Sequence, residues 1–587
     1  MTVAAVALLS AASWTLGRTA FRSFSWPELR RHERFGLEMT AGLGLAALLL
    51  SLLALAGWFA AATPLLLALA VAGPVSAGLG RSVASRPQAR DPEPRWVRAA
   101  TMTIGVCAIV ACAGAVTPVA DYDALSYVMP IAERIAASGR LRVWPEMARS
   151  MWPLDHEVLL AYVLRFGGDR LIAVVAVEWL AALLAVAALA RRACARPEHV
   201  PLAILIALAA PVVAFQISTA KEDLLLVAAV AGVGFALTGS DDRELAVAGL
   251  FAGIAAGTKY PGAGVAVAAV AWAALAYRGR RLRAAVTVAG VAFLAGGLWY
   301  VLNLVRFGNP VAPFVFGARG TPLDVRSVRD LFDSWGLEHR PIDFVLTPVR
   351  IFVNPDPYLG RAAMFNPLAY AGLAGLAIAS IRRRSAPLFL IAAVLYVGWF
   401  FSLENARLLL PAAVVLAPAA ADVIAPIVSR SKPLAWALGA TLAIPLGLIP
   451  LVGVVRAYRY AGDPAHFIGM NTEYYADIQW MNAHLDPRVH RIASVPPDVG
   501  YLRIPYVPLA PTYQMVMTFD EVNDPAKLLA ACRRLGITHV FAGPNAFPGV
   551  PASEYRIVRG NSAALRGGEH FFQPPRTEPM TLYEVNR

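Results

Sequence analysis

Stretches of about 20 mostly apolar residues, the length an α-helix needs to cross a bilayer, recur from residue 1 to about residue 455. Reading for that length gives about fourteen candidate spans, at roughly 1–17, 37–57, 60–80, 98–117, 170–190, 200–218, 223–238, 244–258, 262–277, 284–304, 363–380, 386–402, 407–428 and 434–455. Composition supports the reading. Charged residues make up 16% of the chain, against roughly 25% in soluble domains. The expected fold class is an α-helical polytopic membrane protein, with lipid as the solvent for much of its surface. The apolar N-terminus lacks a convincing small-residue cleavage site before a soluble domain, so it reads as a first span rather than a removed signal peptide.

The net charge of +13 comes from arginines in short joints between apolar runs. Topology accounts for them better than nucleic acid does, since the chain has no basic platform interleaved with aromatics. Arginine-rich joints follow the first, third, fifth, ninth, eleventh and thirteenth spans, among them Arg18/Arg22/Arg30, Arg191/Arg192/Arg196 and Arg382/Arg383/Arg384. With fourteen spans they all fall on one side, the cytoplasmic side by the positive-inside rule, and both termini lie outside. The four cysteines, Cys107, Cys112, Cys194 and Cys532, form no CxxC pair and suggest neither a disulfide framework nor a metal site.

The outer side then receives the long, less basic segments 118–169 and 305–362, and the tail 456–587. In the tail, RIASV and THVFAG are strand-like and DPAKLLAACRRLG is helical, an alternation that predicts a small C-terminal soluble α/β domain. The expected organisation is three additional N-terminal helices over 1–97, a membrane domain over 98–455, and a non-cytoplasmic domain over 456–587. The protein is expected in the cell membrane as a multi-pass protein.

Ionisable groups at membrane depth or at its edge are costly, and so they mark candidate sites. The outer joints carry Asp121 and Asp123 in PVADYDALSYVMP, and Asp155, His156 and Glu157 in MWPLDHEVLLAY. They also carry Lys221, Glu222 and Asp223 in STAKEDLLL, Lys259 and Tyr260 in GTKYPG, and Glu404, Asn405 and Arg407 in SLENARLLLP. Each has a structural alternative. Asp121 can cap the following helix, and Lys259 and Arg407 can snorkel to headgroups. Residues 155–157 can be solvated loop residues, and Tyr127, Trp144, Trp152 and Tyr358 suit an interfacial aromatic belt. Taken together these alternatives weaken. Outer joints should be poor in cations, yet Lys221, Lys259, Arg306 and Arg407 sit at the ends of separate spans, with acids on the same face. Carboxylates facing cations suit an acid/base step on a phosphorylated substrate. The carboxylate takes a proton from a nucleophile and the cations neutralise charge growing on a phosphate leaving group.

At these residues the sequence resembles the GT-C superfamily of membrane glycosyltransferases, in particular the branch of protein O-mannosyltransferases and bacterial aminoarabinose and lipid-A sugar transferases. Four segments carry the likeness: DYDALSYVMPIAERIAASGRL at 121–141, MWPLDHEVLLAYVLRFGGDRL at 151–171, LFAGIAAGTKYPG at 250–262 and SLENARLLLPAAVVLAPAAA at 402–421. The chain departs from the branch's pattern at Ala124, where an Asp-Glu pair is frequent, at Leu408, where Tyr is frequent, and at Val128, where a His is common.

The resemblance implies a sugar donor on a polyprenyl phosphate, reached from the outer leaflet, and single displacement with inversion at the anomeric carbon. It implies Asp123 as general base, with Asp121 second, as base or orienting partner. Lys259 and Arg407, with Lys221 as a weaker third cation, would contact the lipid phosphate. Tyr127, His156, Glu157, Tyr260 and Glu404 would line the substrate pocket. The acceptor would be a hydroxyl on a glycan, lipid or protein, and most of the branch requires no metal or other cofactor. Physics agrees with a lipid donor, because a nucleotide sugar made in the cytoplasm is too polar to reach an outer carboxylate. The alternative reading is a polytopic transporter or flippase, which would call for internal repeats and broken helices at mid-membrane.

Overall fold

A computed structural model gives the fold and describes residues 1–79, 95–168, 170–208, 211–239, 241–333, 339–354, 356–358, 385–562 and 579–586. The chain divides into two units. The first comprises Met1–Thr117, Pro153–Leu298 and Trp335–Ala457. The second comprises Pro118–Trp152, Trp299–Ser334 and Tyr458–Arg587.

The first unit is a bundle of apolar helices. Among the described residues, five helices are long and apolar enough to cross a membrane: Thr2–Ala20, Arg31–Ala56, Val97–Val116, Ile172–Ala193 and Ala406–Ser429. Counting Arg281–Gly296 and Leu298–Phe307 as one bent span makes six. This corrects the expected count of about fourteen. Asp223–Leu237 and Glu244–Thr258 are apolar but only 15 residues each, and Tyr260–Ala276 has 17. At 1.5 Å per residue, 15 residues reach about 22 Å, short of a hydrocarbon core of about 30 Å. The expected spans at 223–238, 244–258 and 262–277 each fold as a helix, but all three are among the shorter apolar helices. The expected span at 363–380 lies outside the described residues.

Glycines set the spacing between helices. Gly17 and Gly42 let Thr2–Ala20 and Arg31–Ala56 meet backbone to backbone. A Cβ on Gly42 would lie 1.7 Å from the Ser13 carbonyl oxygen. On Glu244–Thr258, Gly249, Gly253 and Gly257 recur every fourth residue and therefore share a face. Gly249 and Gly253 admit Arg281–Gly296 at Val288 and Ala292, and Gly257 admits the carboxylate of Asp155. This small-residue packing is how helices associate where burial of apolar surface gives no drive.

One ionic joint ties the N-terminal helices into the bundle. Arg191 pairs with Glu33 at 3.0 Å, and Arg192 pairs with Glu28 and, at 2.8 Å, with Glu244. Trp26 donates its indole N–H to Glu244 at 2.7 Å. Arg191 and Arg192, read from the sequence as part of a basic joint, thus also hold the buried carboxylates of Glu33 and Glu244.

The second unit contains a five-stranded mixed sheet in the order β2-β1-β3-β5-β4, with β1 Ile492–Ser494, β2 Tyr506–Pro508, β3 His539–Ala542, β4 Tyr555–Ser562 and β5 Met580–Val585. β1 pairs in parallel with β2 and β3, and β5 runs antiparallel to β3 and β4. The central strands are buried throughout, as parallel strands covered on both faces are. The helix read from DPAKLLAACRRLG is Pro525–Arg534. Asp524 caps it by accepting the N–H groups of Ala526 and Lys527, Pro525 sits in its first turn, and Gly536 follows it at φ 66°.

The first-loop segment is stitched to the sheet domain within this unit. Ala148 N–H donates to the Tyr513 carbonyl at 2.8 Å, and Met515 N–H donates to the Pro145 carbonyl at 2.7 Å. The Tyr501 hydroxyl donates to the Val119 carbonyl at 2.6 Å. Gly500 lies so close to Leu125 that a Cβ would sit 2.7 Å from its carbonyl oxygen.

Candidate functional site

The polar residues read from the sequence gather into one cluster in each unit. In the first unit the centre is Lys259. GTKYPG breaks the helix there: Lys259 is extended, at φ −164° and ψ 148°, and Pro261 sits in the first turn of the next helix, where its missing N–H costs nothing. Gly262 then lets the next helix fold back on the Ala255 backbone, where a Cβ would lie 1.9 Å from the Ala255 oxygen. Lys259 is thereby fixed in the joint between two helices. Its Nζ lies 2.7 Å from Glu222 Oε1 and 2.9 Å from Asp223 Oδ1.

Glu222 and Asp223 open the helix Asp223–Leu237, an end where the helix dipole favours negative charge. Arg407 approaches from a 3-10 turn, Ala406–Leu409, that leads into Leu410–Ser429. Asn405 caps this turn by accepting the Arg407 N–H at 3.1 Å. Arg407 Nε lies 3.6 Å from Asp223 Oδ2. Lys221 is buried, with Nζ 4.4 Å from the centre of the Phe215 ring. Lys221, Lys259 and Arg407 are thus gathered on the two carboxylates of the KED segment.

His156 and Glu157 are buried on Asp155–Leu164, not solvated. His156 Nδ1 is 2.8 Å from Glu178 Oε1, and both side chains are fully buried. His156 Nε2 has no hydrogen-bond partner among the described residues. Glu157 is within electrostatic reach of Glu222, His156 and Lys259. Glu178 went unread in the sequence, although a lone carboxylate inside an apolar run is a standard signal. Glu404 is fully buried, with Oε1 3.8 Å from His339 Nε2. Tyr260 is the half-buried first residue of its helix.

In the second unit, Asp121 accepts the Ala124 N–H on Oδ1 at 3.2 Å. That is the capping interaction weighed as the structural alternative for it. Asp123 immediately precedes a π-helical turn, Ala124–Val128, a local form frequent at functional sites. The helix Met129–Ser138 continues from it and ends at Gly139, φ 63°. Tyr127 is buried on the π turn, and its ring faces a cation that the sequence reading missed. The guanidinium carbon of Arg149 is 4.3 Å from the Tyr127 ring centre, 4.3 Å from that of Trp152 and 4.2 Å from that of Tyr513. Burial works against this charge, while Tyr513, Tyr127, Asp123 and Tyr122 hold the group above its ordinary pKa. The sequence reading weighed cations at span ends only. A lone Arg between tryptophans, RVWPEMARSMW, was the available signal.

The fold is that of a polytopic helical membrane protein carrying a sheet-containing soluble domain. It is similar to ArnT from Cupriavidus metallidurans bound to undecaprenyl phosphate, at a TM-score of 0.51 and 14% identity, over 83% of this chain and 98% of that one. The apo state of the same protein matches at a TM-score of 0.51 and 16% identity, over 84% and 98%. A fainter likeness, at a TM-score of 0.47 and 15% identity, links 76% of this chain to 70% of the archaeal oligosaccharyltransferase AglB from Archaeoglobus fulgidus. No family profile matches the chain, and no curated protein matches it in sequence.

Proposed function

We propose that this protein is an integral membrane glycosyltransferase that moves a sugar from a polyprenyl phosphate to an acceptor hydroxyl on the outer face of the membrane. One observation carries the reading: the fold is shared over nearly the whole length of ArnT, a protein whose structure holds undecaprenyl phosphate. Asp123 is the general base. It takes the proton of the acceptor hydroxyl as the oxygen attacks the anomeric carbon. The bond from that carbon to the phosphate oxygen breaks, and the phosphate leaves with the electron pair. The transition state is oxocarbenium-like and the configuration inverts. Asp121 acts as an orienting partner, in keeping with its hydrogen bond to Ala124.

Lys259, Arg407 and Lys221 serve the lipid phosphate, which needs positive charge more than a proton donor. Lys259 and Arg407 face Glu222 and Asp223, and Lys221 acts on Asp223 from the same joint. His156, Glu157, Tyr127, Tyr260 and Glu404 belong to the substrate pocket, with the acceptor a glycan, lipid or protein. The cells' outer leaflet supplies the donor, and the C-terminal domain lies on that side.

The test is transfer from a polyprenyl-phosphate sugar by the purified full-length protein. Asp123→Asn is expected to lower the rate by about 10²-fold or more, the usual scale for a positioned general base. Asp121→Asn is expected to lower it less. Undiminished transfer by both variants would remove the assigned base.

A further inference from the structure

The second unit holds a cavity of about 350 Å³, lined by residues that have no part in the transfer step. That volume falls in the range of small-molecule sites, about 300–1,000 Å³. The cavity lies at the entry to the parallel strands. Arg491 directly precedes β1, Tyr506 opens β2, and Leu535 follows the helix Pro525–Arg534. The first-loop segment adds Arg134, on the helix Met129–Ser138, and Glu146.

The wall is polar and within reach of solvent. Arg491 donates to Glu146 Oε1 at 3.0 Å and to the Leu535 carbonyl at 3.2 Å, and Arg134 lies 3.5 Å from Glu146 Oε2. A guanidinium carries more N–H donors than these contacts use. The side chains of Arg134 and Arg491 are each 29% exposed and that of Glu146 is 27% exposed. Tyr506 lies deeper, at 7% exposed, and its buried hydroxyl has no hydrogen-bond partner among the described residues. Buried hydroxyls are rarely left in that state.

This wall asks for two kinds of group at once. The arginine forks match the two oxygens of a carboxylate. Glu146, the Leu535 carbonyl and the Tyr506 hydroxyl accept hydrogen bonds, and so call for the hydroxyls of a sugar. A phosphate monoester, with a charge of about −1.5 to −2 at pH 7, is repelled by Glu146 more than a carboxylate with a single charge. Met129–Ser138 continues from the π turn that follows Asp123. At 1.5 Å per residue, Arg134 stands about 16 Å along the helix from Asp123.

We propose that this cavity binds a carboxylate-bearing sugar, a hexuronate, as a part of the acceptor remote from the hydroxyl that receives transfer. The sugar-acid site stands on the cavity and its wall; its service to an acceptor rests on the glycosyltransferase reading.

The test titrates the full-length protein, in lauryldimethylamine oxide micelles that contain no sugar, with glucuronate, glucose 6-phosphate and glucose, followed by saturation-transfer-difference NMR. Glucuronate is expected to bind about tenfold more tightly than glucose, and Arg134→Gln to remove about that factor, the worth of a charge-assisted hydrogen bond. Arg134→Lys, which keeps the charge and loses the fork, is expected to weaken binding by less, and decides the matter if Arg134→Gln fails to fold. Tyr506→Phe is expected to weaken glucuronate binding about fivefold without lowering the melting temperature, since the hydroxyl it removes bonds to nothing in the fold.

Glucose binding as tightly as glucuronate, no binding of any probe by the wild type, or wild-type affinity in both Arg134 variants overturns the site. Tighter binding of glucose 6-phosphate overturns the choice of a carboxylate. Asp123→Asn is expected to bind glucuronate as the wild type does while losing transfer. Glucuronate binding by a protein that transfers no sugar keeps the site and removes the transferase reading; Asp123-dependent transfer without glucuronate binding does the reverse.

Discussion

Lys259 illustrates how a residue's role depends on neighbours that the sequence does not list. Alone at a span end, it reads as a snorkelling lysine. In the structure it neutralises Glu222 and Asp223, both buried, from a side chain only 11% exposed. Removing one partner of a buried pair costs about 3–5 kcal/mol, because the other charge is left uncompensated. Lys259→Met is therefore expected to lower stability on that scale, with partial recovery in the double variant Lys259→Met/Glu222→Gln. Thermal melting of the purified protein in detergent checks both. A single variant that melts like the wild type would mean that the cluster is solvated. The KED, GTKYPG and ENAR segments were visible as charged joints; their convergence was not, because residues 36 or more positions apart meet only through helix packing.

At the scale of elements, helix length and spacing decide what the bundle can hold. Gly253 sits where Arg281–Gly296 crosses, and a Cβ there would lie 2.5 Å from the Ala292 carbonyl oxygen. Gly253→Val is expected to force the two helices apart and to cost about 1–3 kcal/mol, as overpacking does. Its melting temperature should fall well below that of a variant at Gly290, where a Cβ meets nothing within 4 Å. Equal melting of the two would rule out close packing at this crossing. Element type was largely legible. Apolar runs gave helices, and RIASV and THVFAG gave β1 and β3. Element length was not, because a hydropathy window registers that a run is apolar and not where capping and packing end its helix. That is why the count falls from about fourteen to five or six.

For the molecule as a whole, sidedness is the property to measure. Reporters inserted at the Arg191–Arg196 joint and near Gly279 are expected to be active on the cytoplasmic side, and a reporter in the sheet domain on the outer side. A cytoplasmic signal from the sheet domain would reverse the orientation and with it the access of Asp123 to an outer-leaflet donor.

The sequence by itself determined that this is a polytopic helical membrane protein with a C-terminal soluble domain, because hydropathy and strand alternation are local properties. It also marked Asp123, Lys259 and Arg407 as worth testing, since charge beside apolar runs is costly wherever it stands. Only the tertiary structure decided which charges neutralise which. It paired Lys259 and Arg407 with the KED carboxylates, tied His156 to Glu178, and walled Arg149 with rings from both ends of the second unit. The physical reason is range. Hydrophobicity is read residue by residue, whereas ion pairs and cation–ring contacts act over a few ångströms between segments that the fold alone brings together.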